Sequence, residues 1–360
     1  MKNTIYLDHA ATSPVAPEVI EVMARAMAEE SGNASSIHTV GRSARKALDE
    51  ARTSLAQKIN AKSSEIIFTS GGTEADNMAI FGTAYARQHE GKHIITTQIE
   101  HHAVLHACEK LEKEGFTVTY LPVDRTGQVS ADQVKAALRE DTILVTIMYG
   151  NNEVGTIQPI AEIGEVLKNH IATFHTDAVQ AFGLEKIDVE ALHIDLLSVS
   201  AHKINGPKGI GFLYAKTGVK VSSLLHGGSQ EKKRRAGTEN VPAVVAFSKA
   251  ADLVEEELLQ RKEKYNRFKN ILIEQFQLAN IEFHINGHQT DVLAHVFNVT
   301  FPGTDVESFL INLDMAGVLV SSGSACTAGS IDPSHVLVAM FGQDAPELRS
   351  SIRFSFGLGL

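Results

Sequence analysis

Short apolar runs alternate with amphipathic stretches along the first two-thirds of the chain. Apolar residues recur at helical spacing over 74–89, 101–114, 130–139 and 160–169. The runs typical of buried strands are EIIFTS (65–70), HIITT (93–97), TVTYLPV (117–123), TILVTIMYG (142–150), TFHTDA (173–178), DLLSVS (195–200) and GIGFLYA (209–215). Strand–helix alternation with nearly continuous apolar strands predicts an α/β fold, whose mostly parallel seven-stranded sheet is covered by helices on both faces.

The last third of the chain follows a different pattern. Residues 241–273 place apolar positions at helical spacing among many charged residues, which predicts one long helix crossing between two domains. The strand and helix patterns after it are in an order typical of a small α+β unit. We therefore predict a large domain over 15–255, with 1–14 and 256–360 forming a smaller α+β domain, because 360 residues exceed one small core.

Charge and cysteine content exclude several classes of protein. The net charge of −10 gives no general attraction to nucleic acid or to an anionic membrane, and the basic KKRR at 232–235 fits a solvated turn or a local anion contact. We find no apolar run long enough to span a bilayer and no secretion signal, so we expect a cytoplasmic protein. Cys108 and Cys326 allow at most one disulfide, which a reducing cytosol disfavours.

A glycine turn follows the first predicted strand of the sheet. GGTEADN (71–77) leads from that strand into a helical pattern, and the free N–H groups of a helix start suit a phosphate. A tight turn with Thr73 as helix N-cap is the alternative. The segment matches neither the dinucleotide fingerprint nor the nucleoside-triphosphate loop.

Two neighbouring strands end in residues that carry chemistry. Asp177 ends TFHTDA and is followed by Gln180, and Ser200, His202 and Lys203 lie at the end of DLLSVS. Desolvation would lower the pKa of such a lysine and make its amine a nucleophile. Pyridoxal 5'-phosphate needs a lysine for a Schiff base, a carboxylate for its pyridine nitrogen and a phosphate cradle. The order of these three features along the strands predicts a site for this cofactor.

The stretch EHHAVLHAC (100–108) also suggests a metal site. His102 and His106 share a helix face, with Cys108 close by. Because no second ligand cluster has metal-site spacing, we expect a solvated helix start and no metal. His101 could instead face the crevice at the strand ends, and Cys108 fits a buried small hydrophobe.

Further positions remain open on pattern alone. Asn152 follows a strand in YGNNEVG, and Thr238 in AGTEN could offer a hydroxyl to a phosphate. Arg353 in SSIRFSF either points to solvent or binds a substrate carboxylate with its guanidinium fork. Small residues surround Cys326 in SSGSACTAGS (321–330), so its thiol is either a passive filler or a reagent.

In this order, the motifs resemble the cysteine desulfurases of the nitrogen-fixation and iron–sulfur-cluster type, within the aminotransferase class V group of fold type I pyridoxal-phosphate enzymes. The resemblance runs nearly end to end, through YLDHAAT, GNASSIH, FTSGGTEADN, EHHAV, NNEVG, DAVQ, SAHKINGPKGIG, HGGSQEKKRRAGTEN, SSGSAC and SSIRFSFG. It implies conversion of L-cysteine to L-alanine with the sulfur left on the enzyme. GNASSIH lacks the proline of the usual GNPSSIH, which would stiffen that loop.

The resemblance also implies a role for each matching residue. Lys203 is then the lysine that binds the cofactor covalently, His101 stacks on its ring and moves protons, and Cys326 receives the sulfur as a persulfide. The implied cofactor contacts are Gly72, Thr73, Asn152, Asp177, Gln180, Ser200, His202 and Lys203, with Thr238 reaching over from the other subunit of a homodimer. The implied substrate contacts are Asn33, Asn152 and Arg353.

Alternatives remain beside this interpretation. A selenocysteine lyase or a class V aminotransferase is the alternative among enzymes, and a non-catalytic protein-binding scaffold is the alternative of another class. We predict the enzyme because Lys203, Asp177, His101 and Cys326 are all present. The sequence does not identify the sulfur acceptor, which is a cluster scaffold, a tRNA-thiolating enzyme or another carrier. The sequence ends at FGLGL, where the family continues, so we expect a partner-docking segment to be missing.

Overall fold

The computed structural model describes residues 4–322, 326–327, 330–331 and 333–360, with backbone alone for the two short ranges. The strands are β1 (Ile5–Tyr6), β2 (Ile66–Thr69), β3 (His93–Thr97), β4 (Thr117–Leu121), β5 (Thr142–Thr146), β6 (Thr173–Asp177), β7 (Leu196–Ser200), β8 (Gly211–Ala215), β9 (His284–Asn286), β10 (Val296–Thr300), β11 (Val318–Leu319), β12 (Cys326–Thr327), β13 (Ser330–Ile331) and β14 (Ser351–Ser355). The helices are α1 (Pro17–Glu29), α2 (Thr39–Gln57), α3 (Gly72–Arg87), α4 (His102–Lys113), α5 (Ala131–Ala137), α6 (Ile160–Leu167), α7 (Val241–Glu256), α8 (Leu258–Leu278), α9 (Val306–Ala316) and α10 (His335–Phe341).

A seven-stranded sheet forms the centre of the molecule, in the order β2-β8-β7-β6-β5-β3-β4. The five strands from β7 to β4 in this order are parallel, and β8 is antiparallel to both of its neighbours. β8 reverses because the segment between Ser200 and Gly211 is too short for a helical crossover. Each predicted strand contains one strand of this sheet, so the predicted α/β fold with a mostly parallel sheet is confirmed.

Helices cover both faces of this sheet. On one face Phe174 and Phe212 pack in a core built with α1, α2 and α5–α7, where the ring centroids of Phe212 and Phe247 lie 5.7 Å apart. On the other face Ile94 and Leu213 pack against α3 and α4. Burial on both faces explains why these strands are nearly continuous apolar runs.

The long helix predicted over 241–273 is in fact two helices. α7 ends at Glu256 and α8 begins at Leu258, with Glu257 between them at φ −101° and ψ 0°. α7 packs in the core of the sheet, whereas Tyr265 of α8 packs in a second core. The prediction of one helix was wrong because the apolar periodicity continues through the bend that redirects the chain between two cores.

The second core joins the two ends of the chain. Leu7 packs there with Phe297, Phe354 and Phe356, around the antiparallel sheet β14-β10-β9. β1 pairs in parallel with β11, close to this core. The division into domains at 14/15 and 255/256 stays a prediction. No helix within residues 4–322 and 333–360 is long and apolar enough to cross a membrane.

Candidate active site

A cavity of about 410 Å³ lies at the carboxyl ends of β6 and β7, beside the first turn of α3. Its volume is within the usual range of small-molecule sites, and strand ends are the usual place for ligands in open α/β sheets. The predicted site residues that line it are Gly72, Thr73, His101, Asn152, Asp177, Gln180, Ser200, His202, Lys203 and Arg353. The fold therefore brings together side chains spread over more than 280 positions of the sequence.

Lys203 reaches the cavity from the short 3-10 turn that follows β7. Its Nζ donates hydrogen bonds to the carbonyl oxygens of Ala10 at 2.5 Å and Ala11 at 2.8 Å. Burial lowers the pKa of Lys203 to about 8, and the positive charge of Arg353 acts in the same direction. The amine is therefore a usable nucleophile near neutral pH.

Asp177 is the last residue of β6, in the middle of the sheet, and is 7% exposed. Its Oδ1 accepts a hydrogen bond from the backbone N–H of Val179 at 2.9 Å. Burial raises the pKa of this carboxyl, while His101 and Lys203 act in the opposite direction. Asp177 is thus a buried acidic group beside the Lys203 amine, suited to a ligand that presents a positively charged N–H.

The start of α3 offers a place for an anion. Gly71 precedes the helix with φ 150°, a conformation that L side chains rarely adopt, and a Cβ on Gly72 would lie 2.8 Å from Cγ2 of Val179. The two glycines let the helix begin against the end of β6, with its first N–H groups at the cavity. Because Gly71 holds the N-cap position, the alternative that Thr73 is the N-cap is wrong.

His101 caps α4, and its Nδ1 accepts a hydrogen bond from the backbone N–H of Ala103 at 3.1 Å. The neutral ring therefore carries its proton on Nε2. Burial lowers the pKa of His101. Cys108, further along α4, is fully buried, which raises the pKa of its thiol and confirms the prediction of a small buried hydrophobe. Within the described part of the chain, no group of three His, Cys, Asp or Glu is arranged to hold a metal ion.

Arg353 lies on β14 and is 4% exposed, so the solvent-facing alternative is wrong. Its Nη2 donates to Oδ1 of Asp8 at 2.7 Å, and its Nη1 donates to the carbonyl oxygen of Asn152 at 3.0 Å. Its Nε has no hydrogen-bond partner among the residues that the structure describes. A buried, unpartnered N–H on a cation suits a substrate carboxylate.

Three predicted site residues do not line this cavity with a described side chain. Asn33 and Thr238 are exposed elsewhere on the chain, and Oδ1 of Asn33 accepts a hydrogen bond from Ser35. The reach of Thr238 into another subunit stays a prediction. Cys326 belongs to β12, which pairs with β13, and its side chain lies outside the described residues. Ser321, shortly before it, lines the cavity and forms backbone hydrogen bonds with Arg353.

The KKRR segment makes contacts within the protein. Arg235 pairs with Glu74 in the first turn of α3 at 2.8 Å. The buried Glu231 lies directly before this segment. Its carboxylate accepts hydrogen bonds from Nη1 and Nη2 of Arg52, both at 2.6 Å, and from the backbone N–H of Phe68 at 3.1 Å. The basic residues are thus next to a local ion-pair network, which agrees with the predicted local anion contact.

Sequence reasoning missed three carboxyl groups at the cavity. Asp8 binds Arg353, while Asp76 and Glu153 are buried residues of the cavity wall. Burial raises the pKa of Glu153 to about 7 and that of Asp76 well above its ordinary value. The spacing of Asp76 could have indicated its place at the cavity. It follows Gly72 by four residues, and residues four apart lie on the same face of a helix.

Comparison with known proteins places the chain in a family. The aminotransferase class-V profile matches residues 5–359. A putative cysteine desulfurase IscS 1 of Bacillus subtilis is 64% identical over 99% of this chain and 94% of its own length. A cysteine desulfurase IscS of Methanosarcina thermophila is 51% identical over 98% of this chain and 87% of its own length.

Solved structures agree with this assignment. A NifS-like protein superposes with a TM-score of 0.91 at 35% identity, covering 98% of this chain and 93% of its own. SspA in complex with cysteine superposes with a TM-score of 0.87 at 38% identity, covering 98% of this chain and 99% of its own. The chain therefore belongs to the aminotransferase class-V family of pyridoxal-phosphate enzymes and, within it, to the cysteine desulfurases of the IscS and NifS-like type.

Proposed function

We propose that this protein is a pyridoxal-phosphate-dependent cysteine desulfurase that converts L-cysteine to L-alanine and leaves the sulfur on Cys326. The observation that carries the proposal is the meeting of the Lys203 amine, the Asp177 carboxylate and the Arg353 guanidinium in one cavity. The high identity to relatives named cysteine desulfurase and the cysteine complex of SspA support the choice of substrate.

The cavity residues fit pyridoxal phosphate. Lys203, with its lowered pKa, suits the aldehyde, and Asp177 suits the protonated ring nitrogen. The start of α3, with Thr73 and nearby Ser200 and His202, suits the phosphate. When bound, the cofactor would supply an electron sink that withdraws electron density from the substrate Cα.

Three residues of the cavity then have separate roles in the reaction. Arg353 offers its unpartnered Nε–H to the substrate carboxylate, which orients the amino acid in the cavity. Lys203 takes the Cα proton, because its neutral amine is available near neutral pH. His101 exchanges protons through its Nε2, since its Nδ1 is occupied by the backbone N–H of Ala103.

The sulfur transfer balances without an external oxidant. The thiolate of Cys326 attacks the substrate sulfur, so that an S–S bond forms as the C–S bond breaks. The substrate carbon keeps the electron pair of that bond and gains a proton, which yields alanine. The transferred sulfur is oxidised to the persulfide level while the carbon is reduced.

Product analysis of three proteins tests this function. With pyridoxal phosphate, L-cysteine and a thiol reductant, the wild type is expected to form alanine and sulfide in equal amounts. Cys326→Ala is expected to keep the absorbance of the lysine-linked cofactor and to form no alanine from cysteine. Cys108→Ala is the matched control and is expected to retain activity, because this thiol is buried outside the cavity. Unchanged alanine formation in Cys326→Ala would refute the assignment.

We infer further that the enzyme works as a homodimer and passes its sulfur to an acceptor protein, such as a cluster scaffold or a tRNA-thiolating enzyme. The exposure of Thr238, away from the cavity of its own chain, supports a contribution to the cavity of a second copy. Sedimentation of the loaded enzyme tests the dimer, and a fully active monomer would contradict it.

A further inference from the structure

A buried histidine lies directly behind one of the cavity residues. Gln180 follows β6 and lines the cavity, whereas His295 directly precedes β10 and does not line it. Nε2 of His295 lies 3.0 Å from Oε1 of Gln180, and both side chains are buried. This contact joins the central sheet to the sheet of the second core, and the roles described above do not use it.

The amide of Gln180 has one orientation that satisfies both of its neighbours. Its Nε2 donates to the carbonyl oxygen of Ala10 at 2.9 Å, and a carbonyl oxygen can only accept. The amide oxygen Oε1 therefore faces His295, where it needs a donor. Nε2 of His295 is that donor, so the ring of His295 carries a proton on Nε2.

The ring of His295 is suited to this one hydrogen bond. Its Nδ1 has no partner among the residues that the structure describes, so the bond to Gln180 is the only one of the ring there. Burial lowers the pKa of His295 to about 3, and four neighbouring basic groups act in the same direction, namely Lys269, Lys203, Arg353 and His9. The ring is therefore neutral and has a single N–H to donate. The backbone carbonyl of His295 accepts the N–H of Phe356 at 2.9 Å, which holds the residue in place.

Gln180 and Lys203 donate to the same oxygen atom. Nζ of Lys203 lies 2.5 Å from the carbonyl oxygen of Ala10, to which Nε2 of Gln180 also donates. An amide nitrogen has two N–H groups, so the second one is available to a ligand in the cavity. In pyridoxal phosphate the phenolic oxygen is next to the aldehyde that suits Lys203. This oxygen is therefore the acceptor that the second N–H of Gln180 suits.

We propose that His295 is a positioning residue that fixes the side-chain amide of Gln180, so that its NH2 group faces the cavity and donates to the phenolic oxygen of the bound cofactor. A free amide can exchange the positions of its oxygen and nitrogen, and an amide oxygen facing the phenolic oxygen would repel it. The bond to His295 is at the other end of the amide from Ala10, so it holds the amide even when a ligand takes up the Lys203 amine. This inference rests on the proposed function, because it assumes that the cavity holds pyridoxal phosphate.

A pH titration of the absorbance of the lysine-linked cofactor tests this role. A donor stabilises negative charge on the phenolic oxygen, and without it the proton on the linking nitrogen is harder to remove. We expect His295→Met, which has a similar volume and no donor, to move the midpoint upward by about one pH unit. His295→Gln, which keeps an N–H close to the position of Nε2, is expected to stay within about 0.3 pH unit of the wild type.

The outcomes of this titration separate the hydrogen bond from other effects. An unchanged or lowered midpoint in His295→Met would overturn the role, and an equal rise in His295→Gln would overturn the hydrogen bond as its cause. Gln180→Met is expected to raise the midpoint as well, and adding His295→Met to it should change nothing more, because His295 acts through Gln180. An unchanged midpoint in Gln180→Met, or a further rise in the double variant, would overturn the proposal.

Phe297→Leu is the matched control for packing at this place. Phe297 is also buried near the start of β10, but its side chain packs in the second core. We expect this variant to keep the wild-type midpoint. A rise as large as that of His295→Met would overturn the specific role of His295.

The proton position on His295 gives a readout that needs neither cofactor nor turnover. NMR of the apoprotein with isotope-labelled histidine is expected to show a neutral ring with its proton on Nε2 from about pH 6 to 8, in a signal that His295→Gln removes. A proton on Nδ1, or a charged ring in this range, would overturn the proposal even if His295→Met fails to fold. Failure of the proposed function would appear differently, as a wild type that binds no pyridoxal phosphate although His295 carries its proton on Nε2.

Discussion

The reactivity of Lys203 can be predicted quantitatively. Its pKa is lowered from 10.5 to about 8, mainly by burial, with a contribution from Arg353. At pH 7.5 about a quarter of the molecules then carry a neutral amine, against about one in a thousand for an ordinary lysine. We therefore expect the apoprotein to capture pyridoxal phosphate at neutral pH on the order of a hundredfold faster than an exposed lysine would.

The assay mixes apoprotein rapidly with pyridoxal phosphate between about pH 6 and 10 and follows the absorbance of the lysine-linked cofactor. The rate is expected to rise about tenfold per pH unit below pH 8 and to level off above it, because the amine is by then neutral. Lys203→Ala is expected to abolish this signal.

Lys269 provides a matched control. Burial lowers its pKa to about 8 as well, but it bonds to the carbonyl oxygen of Leu293 and does not line the cavity. Lys269→Met should therefore keep the wild-type profile. A rate that continues to rise tenfold per unit up to pH 10 would refute the reasoning, because it would indicate an ordinary solvated amine at Lys203.

Other substitutions test the packing and the site separately. Cys108→Ala removes the sulfur atom from a fully buried side chain. We expect urea titration to give a free energy of unfolding about 1–2 kcal/mol lower than that of the wild type, and an unchanged value would argue against tight packing there. Arg353→Lys replaces a fork by a point charge, so steady-state kinetics should give a KM for cysteine about tenfold higher with a smaller change in kcat; an unchanged KM would exclude Arg353 from substrate binding. Glu231→Gln removes the buried negative charge that pairs with Arg52, and we expect the free energy of unfolding in the same titration to fall by about 3 kcal/mol; an unaltered midpoint would contradict a contribution of this pair.

Much of the fold is recorded locally in the sequence. HIITT coincides with β3, and TILVT within the fourth predicted run coincides with β5, because strands buried on both faces must be apolar throughout. An apolar run does not indicate whether its strand is parallel or antiparallel to its neighbours. The antiparallel direction of β8 can be inferred only from the short segment before Gly211. The bend at Glu257 leaves no local signal either, because both helices keep the same apolar period on either side of it.

Site residues could be predicted where a reactive side chain directly follows the end of a strand. Asp177 and Lys203 were identified in this way, and both line the cavity. Asp76 and Glu153 were missed because the burial of a carboxyl depends on which distant segments pack over it. Glu153, for example, accepts a hydrogen bond at 2.5 Å from Ser334, which is 181 positions away in the sequence.

The most direct measurement is the mass of the protein after one turnover. The loaded enzyme is mixed with L-cysteine in the absence of reductant, and peptides are then analysed by mass spectrometry. The proposed function predicts an added mass of one sulfur atom on the peptide that contains Cys326, together with one alanine for each sulfur added. Added sulfur on the Cys108 peptide, or alanine without any added sulfur on the protein, would contradict it.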